Sequence, residues 1–154
     1  MMRKIILTVL ILLSVHTYAN SNTVNGYREL TTVCDTNVNM DKLIKALIHV
    51  ESRGNANAIS KDGTCVGALQ IKKIVVDDCN LYLKNQKYKY EDRLNKDKSI
   101  EMFKIIQKRY KNFKRYRSNS DLEHMIRLWN GGCNYNVKST QSYYEKVMNI
   151  YYQN

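Results

Sequence analysis

The chain has 154 residues, with 25 Lys and Arg against 14 Asp and Glu, for a formal net charge of +11. Its 44% hydrophobic content argues against wholesale disorder, and the absence of proline excludes collagen-like and polyproline classes. One domain with a sizeable core is expected, because no internal repeat of about 20–50 residues suggests a solenoid.

The N-terminus reads as an export signal. Arg3 and Lys4 precede the apolar run Ile5 to Val15, and Thr17 and Ala19 are small residues two apart, the form a signal peptidase accepts. Residues 1–19 are therefore expected to be a signal peptide, with an uncleaved anchor as the alternative, and the polar residues 20–38 a flexible leader. Export places the protein in the periplasm or outside the cell. Disulfides are permitted there, and Cys34, Cys65, Cys79 and Cys133 allow three pairings; free thiols are an equal expectation. A basic exported protein meets polyanions such as cell wall, anionic lipid or nucleic acid. The lysines are dispersed and no nucleic-acid recognition motif is present, so no nucleic-acid partner is expected.

Beyond the leader the pattern is helical. Asn39 or Asp41 can cap a helix running to about Glu51, with Leu43, Ile44, Leu47 and Ile48 on one face. Residues 52–70 hold Gly54, Gly63 and Gly67 among polar residues and predict a loop, with a short hairpin at Asp62–Gly63. Ile74, Val75, Asp78, Cys79 and Tyr82 suggest a short second helix, followed by a polar connection over 84–98. Ser99 is expected to cap a long helix with Phe103, Ile106, Tyr110 and Phe113 inward. From about Ser120, Leu122, Met125, Ile126 and Trp129 share a stripe that ends at Gly131 and Gly132. A last helix over about 139–152 carries Tyr143, Val147 and Ile150. The expected fold class is mainly α: a single domain of about five helices over 39–154, with little or no β-structure. Five of the six glycines fall in two loops, each after a helix, which reads either as two walls of a cleft or as ordinary turns.

Glu51 is the candidate for chemistry. At the C-terminal end of an apolar helix it meets the negative end of the helix dipole and apolar neighbours such as Val50. Both effects keep a carboxyl protonated, the state required to cleave an acetal or glycoside by general acid catalysis. The alternative is a surface glutamate paired with Arg53.

Residues 48–71, IHVESRGNANAISKDGTCVGALQI, resemble the signature of the soluble lytic transglycosylase (SLT) family of the lysozyme-like superfamily. Glu51 and Ser52 match its Glu-Ser pair, and Asn55 and Ala58 its polar stretch. Ser60 and Gly63 match its turn, and Gly67, Leu69, Gln70 and Ile71 its Gly-Leu-Met-Gln-Ile element; Ala68 stands where the family often has Leu. Trp129, Asn130, Gly131 and Gly132 match a Tyr-Asn-Ala-Gly turn, with Trp for Tyr and Gly for Ala. Ser139, Thr140, Tyr143, Lys146 and Val147 echo a Glu-Thr-x-x-Tyr element with its Lys-Val pair, but the Glu is missing. The three elements fall in family order over 41 to 151.

This resemblance implies a lysozyme-like domain that cleaves the β-1,4 bond between N-acetylmuramic acid and N-acetylglucosamine in peptidoglycan, with Glu51 as general acid and then base, giving a 1,6-anhydro product. Tyr143 is the candidate for holding Glu51. Ser52, Gln70, Asn130 and Trp129 are candidates for binding the glycan, Gln70 by offering both donor and acceptor to an acetamido group, and Trp129 by stacking if it is not simply core. A hydrolytic lysozyme is the alternative; it calls for a second carboxylate, for which Asp62 is nearest in sequence, although turn chemistry is its simpler reading. An inactive wall-binding or secretion-associated protein on the same scaffold is a further alternative. Outside the signal only His49 and His124 are available to a serine or cysteine hydrolase, and His49 points away from Glu51 on a helix. No metal or other cofactor is expected. The expected partner is the peptidoglycan glycan strand, with a monomer acting alone and a secretion or conjugation machine left open.

Overall fold

The computed structural model describes residues 38–111 and 120–153, within the compact unit Asn37–Asn154. The expected signal peptide, most of the expected leader, Cys34 and Phe113 lie outside the described residues. Val38, the last residue assigned to the leader, packs against the core. The described residues form five α-helices: α1 (Met40–Ser52), α2 (Lys73–Leu83), α3 (Lys96–Tyr110), α4 (Asp121–Gly131) and α5 (Gln141–Gln153), with one 3₁₀ turn at Tyr90–Leu94. No helix among them is long and apolar enough to cross a membrane. β-Structure is confined to isolated bridges, Ile59 with Val66 and Val66 with Ile71. The hairpin expected at Asp62–Gly63 is thus a tight reversal, closed by Ser60 N donating to Cys65 O at 2.9 Å.

Local chemistry explains the helix starts. Asn39 Oδ1 accepts from Lys42 N at 3.0 Å and Ser120 Oγ from Glu123 N at 3.2 Å, so each cap satisfies a donor that the first turn leaves free. The start of α3 differs from the sequence expectation. Asn95, not Ser99, is its cap, accepting from Lys98 N at 3.0 Å. Ser99 is fully buried in the first turn, where its hydroxyl donates to Arg93 O at 2.9 Å. Both residues are good caps; the 3₁₀ turn just before α3 selects the earlier one.

The core gathers Leu43, Leu47, Leu69, Ile71, Met102, Phe103, Ile126 and Val147. Helix α1 packs chiefly on α5, α2 on α3, and α4 on both α3 and α5. In α2 the inward face is Val76 and Cys79, whereas Ile74 is 68% exposed. The first turn of α2 has apolar residues on several sides, so composition did not choose its face.

A loop from Arg53 to Lys72 crosses the domain between α1 and α2, and Gly67 fixes its depth. Gly67 has φ +85°, and a methyl group there would sit 1.8 Å from Arg93 O. Arg93 is itself buried and ties the loop down, its Nη1 donating to Ile71 O at 3.2 Å and its Nε to Tyr90 O at 2.8 Å. Because the obstacle is main chain, relief requires the loop and the 3₁₀ turn to separate. Gly67→Ala should therefore lower stability by more than about 2 kcal/mol, seen as a reduced denaturant midpoint with little change in slope.

Candidate active site

The last turn of α1 delivers Glu51 into a cleft of about 420 Å³. One wall is the segment from Cys65 to Val75, including Gln70 and Lys72; the other is Trp129 to Gly132 at the end of α4. The two glycine loops therefore do flank one cleft. Arg53, which follows α1, adopts the left-handed conformation (φ 55°) that ends the helix and makes no bond to Glu51.

Tyr143 of α5 donates its hydroxyl to Glu51 Oε1 at 2.6 Å. Desolvation raises the Glu51 pKa above its ordinary 4.5, and the Tyr143 hydrogen bond opposes the rise. Tyr143 is itself pushed well above its ordinary value, first by burial and then by the nearby Glu51 charge, so it remains a neutral donor. One carboxyl oxygen is thus occupied, and a proton on Glu51 belongs on the other, Oε2.

The remaining candidates divide by what their polar atoms already do. Gln70 lines the cleft with φ 49°, a strained conformation for a residue other than glycine. Its amide nitrogen donates to Gly67 O at 2.9 Å and Ala58 O at 3.2 Å, which anchors the strained turn. Two carbonyl partners identify the NH₂ end, leaving only the amide oxygen for a ligand, an acceptor rather than the donor-and-acceptor pair expected from side-chain type. Asn130 is exposed on the opposite wall and its side chain has no protein partner. The ring of Trp129 meets Phe103 edge-on at 5.0 Å, as a core residue would, and also lines the cleft. Ser52 is not on the cleft wall. Its hydroxyl donates to Ala68 O at 2.8 Å and Ile48 O at 3.2 Å, tying the end of α1 to the glycine loop rather than reaching Glu51 or a sugar.

Asp62 is exposed and committed to its turn. It accepts from Ser60 Oγ at 2.6 Å and from Thr64 N at 3.1 Å, and these bonds hold its pKa down at about 2. Asp77 accepts from Tyr90 and Asp78 from Tyr110 and Arg109, away from the cleft wall. Cys65, Cys79 and Cys133 are free thiols, and burial pushes Cys79 up to about 12. Both ring nitrogens of His124 are engaged, with Tyr135 and Tyr110 O. No cluster of metal-ligating side chains occurs among the described residues.

Sequence reading missed the group that sets α5 against α4. Buried Arg127 donates to Glu123 at 2.7 Å, to Thr140 Oγ1 and Val137 O at 2.9 Å, and to Gln141 Oε1 at 2.7 Å. These bonds anchor the start of α5, two residues before Tyr143. The Glu123–Arg127 spacing of four was the available signal. Gly131 also acquires a reason: a methyl group there would lie 2.6 Å from Tyr135 Cβ and 2.9 Å from Thr140 Cγ2, so Ala does not fit this turn.

The mainly α domain, with a half-buried, hydrogen-bonded carboxyl in its cleft, is consistent with the lysozyme-like class. The family model for the transglycosylase SLT domain matches residues 34–151, most of the chain, and the protein belongs to that family, whose members are glycan-cleaving enzymes of the lytic transglycosylase type that act on cell-wall peptidoglycan. Comparisons with curated proteins and with solved structures gave no match.

Tyr143→Phe should move the alkaline limb of the pH–activity profile upward, because it removes the bond that lowers the Glu51 pKa. It should also reduce kcat/KM about 10-fold through loss of positioning. An unmoved limb would count against the Tyr143–Glu51 bond as the control on acidity.

Proposed function

We propose that this protein is a lytic transglycosylase that cleaves the β-1,4 bond between N-acetylmuramic acid and N-acetylglucosamine, with Glu51 as both acid and base. The observation that carries the reading is that Glu51 is, among the described residues, the single carboxyl lining the cleft, with a raised pKa and one oxygen already held by Tyr143. Protonated Oε2 gives its proton to the bridging oxygen as the C1–O bond breaks, and positive charge develops on the muramyl ring. The resulting carboxylate takes the proton of the muramyl C6 hydroxyl, and O6 closes on C1. Glu51 ends protonated, no water is consumed, and the product is a 1,6-anhydro sugar. The Tyr143 hydroxyl stabilises the carboxylate between the two transfers. The amide oxygen of Gln70 is free to accept from an acetamido N–H, Asn130 can bind from the opposite wall, and the face of Trp129 offers a stacking surface.

A hydrolytic lysozyme needs a second carboxylate to position water or form a covalent intermediate. Asp62 is the natural nominee, but its oxygens are used within its own turn. A catalytically silent binder has no use for a desolvated glutamate, which costs stability at neutral pH.

Three outcomes test the reading. Wild-type protein acting on purified peptidoglycan should release muropeptides one water lighter than hydrolytic products, as read by mass spectrometry, while products at the hydrolytic mass would transfer the reaction to a lysozyme. Glu51→Gln should lose on the order of 10³-fold in kcat; Asp62→Asn should retain wild-type activity, and its failure to do so would reopen the two-carboxylate mechanism. Stability provides the third check. The folded-state pKa of Glu51 is raised, so its favourable contribution is complete below the ordinary value of 4.5 and is lost as pH rises through the folded value. Glu51→Gln should consequently melt at or above the wild-type temperature at pH 7, with the advantage shrinking toward pH 4.

A further inference from the structure

The cleft wall carries two charged residue types, Glu51 and Lys72, and Lys72 is the one cation lining it among the described residues. Its main chain is held firmly. Ile71, just before it, exchanges hydrogen bonds with Val66 at 2.8 and 3.1 Å, and Lys72 O accepts from Val75 N at 3.1 Å as α2 begins. Its side chain, in contrast, is exposed and takes part in no hydrogen bond or ion pair. Neighbouring Lys73 is differently employed, with its ammonium 5.0 Å above the Tyr90 ring. Of two adjacent lysines, one is packed against an aromatic ring and the other is presented to the cleft without a counter-charge.

An unpaired ammonium on the cleft wall adds positive potential there. The sugar rings of peptidoglycan are uncharged and gain little from it. The carboxylates of this substrate lie on the peptide stems attached to the muramyl lactyl groups. We infer that Lys72 recognises a stem carboxylate and directs the enzyme to stem-bearing glycan in preference to glycan whose lactyl groups carry neither a stem nor a free carboxylate. This inference rests on the proposed function, because it assumes that a muramyl residue occupies the cleft. Lys72 is a specificity-determining residue in this scheme and takes no part in proton transfer. The ammonium is solvent-exposed, so its effect is modest, salt-sensitive and confined to binding.

The experiment compares wild type, Lys72→Gln and Lys72→Arg on soluble glycan oligomers with their stems intact and on the same oligomers stripped by an amidase, with the lactyl carboxylates that the amidase uncovers capped as neutral methyl amides. Lys72→Gln should raise KM about 3- to 10-fold on stem-bearing oligomers, leave kcat unchanged and leave KM on stripped oligomers unaltered, while Lys72→Arg should restore wild-type KM. The wild-type preference should fade as salt is raised. Binding is read separately from turnover in the Glu51→Gln background by the fluorescence of Trp129, the chain's one tryptophan, which lines the same cleft. An equal effect of Lys72→Gln on both oligomers, or none on either, overturns the assignment. Absence of cleavage by wild type on any oligomer overturns the proposed reaction instead, and the fluorescence arm then still decides whether Lys72 distinguishes the two glycans.

Discussion

The hydrogen bond from Tyr143 to Glu51 joins the first described helix to the last, and much of the remaining architecture serves to keep those two ends in register. A carboxyl at the end of an apolar helix is desolvated by its setting, and desolvation alone would leave it a weak and poorly aimed acid. A neutral hydroxyl on one oxygen does two things at once. It tempers the rise in pKa, and it leaves only the other oxygen to carry the proton. The packing of α1 on α5 and the buried Arg127 group at the start of α5 are the structural means of holding that geometry.

The second requirement is that both walls stand at fixed depth. On one side Gly67 lets the loop lie against Arg93 O, while Gln70 spends its amide nitrogen to hold a left-handed turn. On the other, Gly131 allows Tyr135 and Thr140 to close against the end of α4. Ser52 belongs to the same framework: by donating to Ala68 O it sews the end of α1 to the loop. Ser52 and the amide nitrogen of Gln70, which look like ligands for sugar by composition, thus hold up the cleft wall.

The sequence made the helices legible because their apolar residues recur at helical spacing and their caps are chemically distinctive, as at Asn39 and Ser120. It failed where two choices were locally equivalent. Asn95 and Ser99 are both capable caps, and only the 3₁₀ turn that precedes α3 decides between them; Ile74 and Val76 are both apolar, and only packing against α3 selects Val76. At the site, Glu51 and Tyr143 were legible together because the family pattern pairs residues far apart in the chain, a relation that periodicity does not express. The depletion of Gln70 to a single acceptor, the Arg127 group and the contrast between Lys72 and Lys73 were not legible, since each depends on which atoms meet in space.

The separation of Tyr143 and Glu51 by 92 positions has a consequence for the order in which the pair is assembled. A polypeptide emerges from its N-terminus, so the glutamate is made long before the tyrosine that tunes it. Until α5 has been synthesised and has docked, the chain carries an ordinary hydrated carboxylate with no cleft completed around it. A prematurely terminated or partly threaded copy therefore lacks both the Tyr143 bond and the packing of α1 on α5.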